Sequence, residues 1–229
     1  MRTPRELAWV KLGEAIVNSR ATLLFVRHAA VSCSREGQPL LCGAYDAPLS
    51  EQGRCQVELL RRRLIAEGPL DALYVSPRER ALRTADAAPP ALRRSARILK
   101  SLAEIDCGTA DGLPIEYVRR HYPEAWRQNE AQTDENFAWP NGESYRRFRK
   151  RVLRVVDAIA GLHAGQRVLI VTHAGVINQV LGSIAGQSAA RWVSPRPRNT
   201  SLTSVLWGKQ IRSVTRYNDC SHLEVEALA

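Results

Sequence analysis

Apolar residues follow two spacings along the chain, and the alternation of the two predicts an α/β fold. Short, nearly continuous apolar runs, typical of buried strands, fall at residues 22–28, 72–76 and 167–172. In residues 148–162 the apolar positions instead recur every three or four residues, which predicts a helix with one buried face. Strands that alternate with helices indicate a mostly parallel sheet covered on both faces. The chain is therefore predicted to form a three-layer α/β/α sandwich with a mostly parallel central sheet.

Turn and capping signals predict the remaining elements. Ser50 is placed to cap a helix that ends at Gly68. The other predicted elements are a helix at 78–88, a short strand at 97–100, a helix at 175–185, and a hairpin of strands 201–207 and 210–217.

Three stretches lie outside this regular pattern. Residues 1–20 predict a short amphipathic helical appendage, and we expect residues 21–229 to form a single domain. The 29–49 loop is longer than most connections in a compact domain, which makes it a candidate functional loop. Residues 103–142 show no regular apolar spacing, and we expect them to form an irregular, lid-like segment.

Two predicted strands carry a histidine at their carboxyl ends: His28 follows Leu-Leu-Phe-Val-Arg27, and His173 follows Val-Leu-Ile-Val-Thr. Ligands of open α/β sheets bind at this end of the strands. We therefore expect both imidazoles to meet Arg27 and Arg80, which follows another strand. Arginine forks clamp phosphoryl oxygens, and a neutral imidazole can attack phosphorus to give a covalent intermediate. The set favours phosphoryl transfer.

Phosphoryl transfer from an ester also needs an acid that protonates the departing oxygen. Three carboxyl groups in the irregular segment are candidates, and the residues alone do not choose among Glu104, Asp106 and Asp111. The sequence contains no GxxxxGK[ST] loop, so a nucleotide triphosphatase of that type is not indicated.

The net charge of +10 adds little to this interpretation. Only four of the 33 basic residues are lysine, and the planar fork of arginine suits phosphate oxygens, but a coding bias toward arginine explains the total equally well. A nucleic-acid-binding protein would need a basic stripe with interleaved aromatic residues. The basic pairs are instead scattered over predicted helices, so we expect no nucleic-acid partner.

The five cysteines are odd in number and irregularly spaced, which argues against a disulfide framework or a zinc ribbon. A metal site that joins His28, His173 and Cys33 or Cys42 has no recognisable ligand spacing. A reducing compartment fits this pattern. The sequence shows neither a secretory signal nor an apolar run of the ~18 residues that a membrane span needs, so we expect a cytoplasmic protein without membrane contact.

Six ordered motifs resemble those of the histidine phosphatase superfamily, which has the phosphoglycerate mutase-like fold. They are Val26-Arg-His28, Tyr45-Asp-Ala-Pro-Leu-Ser-Glu-Gln-Gly53, Ser76-Pro-Arg-Glu-Arg-Ala-Leu-Arg-Thr-Ala85, Leu102-Ala-Glu104, Gly142-Glu-Ser144 and Val171-Thr-His-Ala-Gly-Val176. The similarity covers roughly residues 22–220. It implies that His28 is the phosphorylated nucleophile and Glu104 the proton donor, with no metal or other cofactor. It also implies a phosphate pocket formed by Arg27, Arg80 and His173.

The chain departs from the family pattern directly after the first histidine. The family commonly has Arg-His-Gly-Glu-Thr with an asparagine shortly after, and this chain has Ala29, Ala30, Val31 and Ser34 at those positions. Two usual glutamines are replaced by Cys42 and Arg83. The change removes candidate side-chain donors near the phosphate, while the backbone N–H groups at the strand end remain usable.

Within the superfamily the chain looks most like the branch of α-ribazole phosphatases and broad small-molecule phosphatases, since it lacks the long insertion typical of the mutases. We therefore favour hydrolysis of a small phosphomonoester over mutase chemistry. Candidate substrate contacts are Ser34, Cys42, Trp126 and Trp139. For each tryptophan taken singly, ordinary packing is the preferred explanation. A homodimer is compatible with such a fold.

Overall fold

The computed structural model describes residues 20–192 and 194–224. The predicted N-terminal helix therefore lies, except for its last residue, outside the described residues. The strands are β1 (Ala21–Arg27), β2 (Ser34–Arg35), β3 (Gln38–Pro39), β4 (Ala72–Val75), β5 (Arg97–Ile98), β6 (Arg167–Thr172), β7 (Leu202–Trp207) and β8 (Arg212–Asp219). The helices are α1 (Glu51–Ala66), α2 (Glu79–Ala85), α3 (Pro90–Arg94), α4 (Ile115–His121), α5 (Pro123–Ala131), α6 (Tyr145–Leu162) and α7 (Ala174–Ile184).

The central sheet has the order β5-β4-β6-β1-β7-β8 in the described part of the chain. The pairs β5–β4, β4–β6 and β6–β1 are parallel, whereas β7 and β8 add to one edge as an antiparallel hairpin. The predicted mostly parallel sheet is thus confirmed. Its central strand β1 pairs in register with β6, so that Arg27 lies opposite Thr172.

Helices cover both faces of the sheet because side chains alternate between the faces along each strand. On β1, Leu23 and Phe25 belong to the core beneath α6 and α7, and Leu24 and Val26 belong to a second core beneath α1 and α2. The predicted three-layer sandwich is confirmed. Ser50 caps α1 as predicted, since its hydroxyl accepts the N–H of Gly53 at 3.0 Å.

The segment 103–142 is more regular than its sequence predicts. It contains a short 3₁₀ helix, Gly108–Ala110, and the helices α4 and α5. Pro114 immediately precedes α4 and Pro123 is the first residue of α5, because the fixed φ of proline suits a helix start. We predicted an irregular segment because each helix is too short to display a full apolar period.

Candidate functional site

The carboxyl ends of β1 and β6 bring the two histidines together. Since the strands are parallel neighbours in register, the residues that follow Arg27 and Thr172 emerge side by side. The rings of His28 and His173 have centroids 5.2 Å apart and are tilted by 56°. Both residues are buried. The two imidazoles thus lie together at the sheet edge where the sequence places Arg27 and Arg80. We call the surface formed by these four residues the floor of the site.

The His28 ring has a defined orientation and tautomer. Its Nδ1 donates a proton to the carbonyl of Ala29 at 2.8 Å, and its backbone N–H bonds to Thr172 at 2.8 Å. Nε2 is consequently the nitrogen that keeps a lone pair. Burial, followed by the positive charges of Arg80 and Arg27, holds the pKa of His28 well below its usual range. The imidazole is therefore neutral and nucleophilic at neutral pH.

His173 is oriented by a buried hydroxyl group. The Oγ of Ser76 lies 2.7 Å from Nε2 of His173 and also accepts the N–H of Arg78 at 3.3 Å. The Nδ1 of His173 is buried without a hydrogen-bond partner among the described residues. Burial is the largest cause that lowers the pKa of His173, followed by the electrostatic interaction with His28 and then with the neighbouring arginines. The ring thus offers one unused nitrogen in a cationic environment.

Arg80 is a fully buried cation with two of its nitrogens fixed. Its Nη1 donates to the carbonyl of Tyr45 at 2.7 Å, and its Nη2 donates to the carbonyl of Gly43 at 2.8 Å. Asp46 approaches to 3.5 Å. The Nε of Arg80 is buried and has no partner in the described part of the chain. An anion at the floor is the natural acceptor for such a group, since buried donors are normally paired.

Arg27 repeats this arrangement from the other side of the floor. Its Nη1 donates to the carbonyl of Pro197 at 2.7 Å, and its buried Nε has no partner within residues 20–192 and 194–224. Burial lowers the pKa of Arg27 more than any other cause, while the charge of Glu104 raises it. Two arginines and an imidazole therefore present unsatisfied nitrogens around His28.

A single carboxylate shapes the loop that holds Arg80. The oxygens of Asp111 accept four backbone N–H groups at 2.7–2.9 Å, three of them from consecutive loop residues; the donors are Gly43, Ala44, Tyr45 and Cys107. The same loop presents the two carbonyls that bind Arg80. Asp111 was one of three open candidates for the acid, and this geometry makes it an organiser of the phosphate floor instead.

The expectation that the backbone N–H groups at the end of β1 remain usable for phosphate is wrong for Ala29 and Ala30. The N–H of Ala29 donates to Oγ1 of Thr84 at 2.8 Å, and the N–H of Ala30 donates to Oε1 of Gln56 at 2.9 Å. Both donors are therefore already used inside the protein. No local pattern signals the bond to Thr84, since Thr84 lies 55 residues from Ala29.

Glu104 lies beside the histidine floor, at the start of α7. Its Oε2 accepts the N–H of Gly175 at 2.9 Å, and its Oε1 accepts the N–H of Ile105 at 3.0 Å. A Cβ at position 175 would collide with this carboxylate, so a glycine is required for the approach. Glu104 is partly exposed and lines a cavity of 360 Å³. It is thus the acidic candidate that reaches both the floor and open space.

The segment 194–200 contributes contacts that sequence reasoning missed. The Nδ2 of Asn199 donates to the carbonyl of His28 at 2.8 Å, and the N–H of Thr200 donates to the carbonyl of Arg27 at 2.9 Å. These two bonds fix the main chain at Arg27 and His28, and the Pro197 carbonyl fixes the side chain of Arg27. The only sequence signal is a polar Asn199-Thr200 pair directly before a strand.

The four predicted substrate contacts lie in different environments. Ser34 is exposed on β2. Trp139 is buried and packs against Phe137 and Trp126, at centroid distances of 5.5 and 6.4 Å. Neither tryptophan is among the residues that line the cavity beside Glu104. Packing accounts for both rings.

Cys42 is joined to Cys33 in a disulfide. The sequence argued against a disulfide framework, and among the described residues this pair stands alone, since Cys55, Cys107 and Cys220 are free. Across the described residues, no three His, Cys, Asp or Glu side chains form a group that could hold a metal ion. In the same part of the chain, no helix has both the length and the apolar character that a membrane crossing requires.

Comparisons with known proteins place these residues in a family context. The sequence profile described as "Histidine phosphatase superfamily (branch 1)" matches residues 23–220. "Phosphoglycerate mutase-like protein 4" of Arabidopsis thaliana is 27% identical over 206 residues, which are 89% of this chain and 87% of that protein.

Solved structures give the same picture. The protein titled "Bacillus stearothermophilus YhfR" superposes with a TM-score of 0.78 at 29% identity, and covers 89% of this chain and 100% of its own. The α-ribazole phosphatase from Shigella flexneri superposes with a TM-score of 0.75, over 86% of this chain and 96% of its own. At 21% identity, this second match shows the fold alone.

Proposed function

The chain belongs to branch 1 of the histidine phosphatase superfamily, and we propose that it hydrolyses a small phosphomonoester through a phosphohistidine intermediate. The observation that carries the proposal is the floor of His28 and His173, whose ring centroids are 5.2 Å apart. Buried, unpartnered nitrogens of Arg27, Arg80 and His173 surround the nucleophile. Such a set fits the three equatorial oxygens of a transferring phosphoryl group.

In the first step, Nε2 of His28 attacks phosphorus and forms a P–N bond while the P–O bond to the leaving group breaks. The electron pair of that bond stays on the leaving oxygen, which takes a proton from the carboxyl group of Glu104. Arg27, Arg80 and His173 stabilise the charge on the phosphoryl oxygens. The Nδ1–H bond to Ala29 keeps the ring aligned throughout.

In the second step, a water molecule attacks phosphorus and gives a proton to the Glu104 carboxylate. The P–N bond breaks, its electron pair returns to Nε2 of His28, and inorganic phosphate leaves. The protein regains its starting protonation state. Burial and two neighbouring arginines keep the pKa of His28 low, which favours release of the neutral imidazole at this stage.

A phosphatase and a mutase share these residues and differ in the second acceptor, water or another substrate. We favour water because the chain lacks the long insertion typical of the mutases. The test is a screen of small phosphomonoesters for release of inorganic phosphate, run beside an assay with 3-phosphoglycerate and its bisphosphate. Phosphate release without formation of 2-phosphoglycerate supports the proposal, and efficient isomerisation without phosphate release contradicts it.

The surface charges give no support to nucleic-acid binding as an alternative. Basic residues in the Arg61–Arg63 triplet pair with carboxylates: Arg61 with Glu58 at 3.1 Å, and Arg63 with Glu67 at 2.7 Å. A cytoplasmic location stays a prediction from the sequence, and the Cys33–Cys42 disulfide removes one of its supports.

A further inference from the structure

The cavity of 360 Å³ that Glu104 lines offers space for a leaving group. This step rests on the proposed function: an acid that protonates the departing oxygen has to lie within hydrogen-bond reach of it. Because Glu104 forms part of the cavity wall, the group attached to that oxygen continues into the cavity. The residues that line the cavity therefore indicate which kind of leaving group it can bind.

The wall is charged and carries more cations than anions. Its charged members are Arg78, Lys100, Glu104, Asp106, Glu143, Arg147 and Arg151. Arg151 and Glu143 neutralise each other through two bonds of 3.0 and 2.6 Å. When Glu104 is protonated, as the acid must be, the cations Arg78, Lys100 and Arg147 face one carboxylate, that of Asp106. Asp106 is in turn engaged, since it accepts the N–H of Gly108 at 2.8 Å.

Arg78 is the cation with the strongest requirement for a partner. Its Nε is buried and has no hydrogen-bond partner, and its guanidinium has no ion pair, in residues 20–192 and 194–224. Its backbone N–H bonds to Ser76, the residue that orients His173. Arg78 thus lines the cavity and is bonded through its backbone to the residue that orients His173. Its side chain is half-buried and unpaired, and an anionic ligand would satisfy its buried Nε.

We infer that the leaving group carries a second anionic group, a carboxylate or a phosphate, which Arg78, Lys100 and Arg147 bind in this cavity. The substrate is then a phosphomonoester of an acidic metabolite rather than of an aromatic or uncharged alcohol. Arg78 supplies a planar fork for two oxygens, and the other two residues supply exposed charges at the rim.

The test compares substrates with and without a second anionic group. The first pair is 3-phosphooxypropanoate and its amide, which are nearly equal in size. Hydrogen bonds to a charged partner predict a kcat/KM about tenfold or more higher for the carboxylate. The second pair is propane-1,3-diol bisphosphate and 3-hydroxypropyl phosphate, and the larger gain of the two identifies the preferred anion. Phenyl phosphate serves as the baseline substrate without a second charge.

Variants assign the preference to this cavity. Arg78→Leu should reduce the carboxylate-to-amide ratio to near one, and Arg147→Gln should reduce it about threefold, as expected for an exposed charge. Arg83→Leu is the matched control, because Arg83 is an exposed arginine on α2 that pairs with Glu79 at 2.6 Å and does not line the cavity. It should keep the wild-type ratio. If Arg78→Leu does not fold, Arg147→Gln and Lys100→Met carry the comparison.

Equal kcat/KM values for the charged and uncharged members of both pairs in the wild type would overturn the inference. A preference that survives every cavity variant would overturn it as well. Failure of the proposed function has a different signature, since phenyl phosphate and all four test substrates would then release no phosphate. Hydrolysis of phenyl phosphate with no preference for charge leaves the phosphatase proposal standing and removes only the inference about the leaving group.

Discussion

The phosphate floor and the leaving-group wall differ in how the protein builds them. The floor, formed by Arg27, His28, Arg80 and His173, is largely buried, and hydrogen bonds hold each of its members. The two arginines bond to distant carbonyls, the His28 ring to the carbonyl of Ala29, and the His173 ring to the hydroxyl of Ser76. The wall around Glu104 is more exposed, and three of its cations have no carboxylate partner among the described residues. A rigid floor suits a phosphoryl group that all substrates share, whereas a wall with unused charge suits the part of the substrate that varies.

The largest expected effect comes from removing the nucleophile of the floor. His28→Ala should lower hydrolysis of 4-nitrophenyl phosphate by on the order of 10⁴-fold or more, because no other group can form the phosphoenzyme. The acid-labile phosphoenzyme, measured by rapid quench, should disappear. His163→Ala is the control, since His163 bonds to the Tyr74 hydroxyl at 3.0 Å and lies beyond the end of α6. Persistence of the intermediate in His28→Ala would refute the assignment.

The next largest effect is expected from replacing the proposed acid, Glu104, which belongs to the wall and not to the floor. Glu104→Gln should lower kcat/KM for alkyl phosphates by about 10²–10⁴-fold, the range of general acid catalysis. It should have a much smaller effect on 4-nitrophenyl phosphate, whose leaving group needs little protonation. Steady-state kinetics on both esters gives the answer. If both substrates lose activity equally, Glu104 belongs functionally to the floor, and Asp106→Asn should then be tested as the acid.

A smaller effect tests whether the floor depends on Asp111. Asp111→Asn replaces a carboxylate that accepts four N–H groups with an amide that offers one acceptor oxygen. We expect the free energy of unfolding to fall by about 2–4 kcal/mol and kcat/KM to fall about tenfold, because the loop that holds Arg80 loosens. Denaturant unfolding and phenyl phosphate kinetics measure the two changes.

Asp134→Asn is the matched control for this variant, since Asp134 is an exposed aspartate whose side chain accepts the N–H of Asn136 at 2.8 Å. It should change the free energy of unfolding by no more than about 0.5 kcal/mol. An Asp111→Asn protein that matches this control in both stability and activity would show that the floor does not need its carboxylate.

The smallest expected effect is the pH dependence of stability. The folded-state pKa values of His28 and His173 lie well below 6.5, so below that pH the unfolded chain binds more protons. Stability is therefore complete above about pH 6.5 and falls as the pH drops toward the folded-state pKa values, by up to about 1.4 kcal/mol per pH unit for each histidine. Urea unfolding in phosphate-free buffer measures the slope. His173→Asn should remove about half of it, and an unchanged slope would contradict the account.

Sequence reasoning predicted the floor better than the wall, and the reason is geometric. His28 and His173 end apolar strands, and parallel strands bring their carboxyl ends to one edge, so a local pattern was enough to place them. The family resemblance then chose Glu104 where spacing left three acids open. Glu104 is the one of these that both bonds to α7 and lines the cavity.

The contacts that hold the floor could not be predicted, because they join residues that are far apart in the sequence. Nothing near Asp111 indicates that its four N–H donors include three loop residues more than 60 positions earlier. The same holds for Thr84, which uses the N–H of Ala29. Trp126 and Trp139 were candidate substrate contacts, but packing accounts for both rings. A sequence alone does not distinguish an exposed aromatic residue from a packed one.

The bond from Asn199 to the His28 carbonyl spans 171 residues, and it has a consequence for how the protein is made. Chains are synthesised from the N-terminus, so β1 and its histidine leave the ribosome long before β6 and β7, which flank β1 in the finished sheet. Until those strands arrive, β1 is an apolar strand with two open edges, the kind of segment that pairs with other chains. Such long-range pairing folds slowly. Catalytic competence is therefore the last property this chain acquires during synthesis, and its earliest strand is the one that depends most on protection in the meantime.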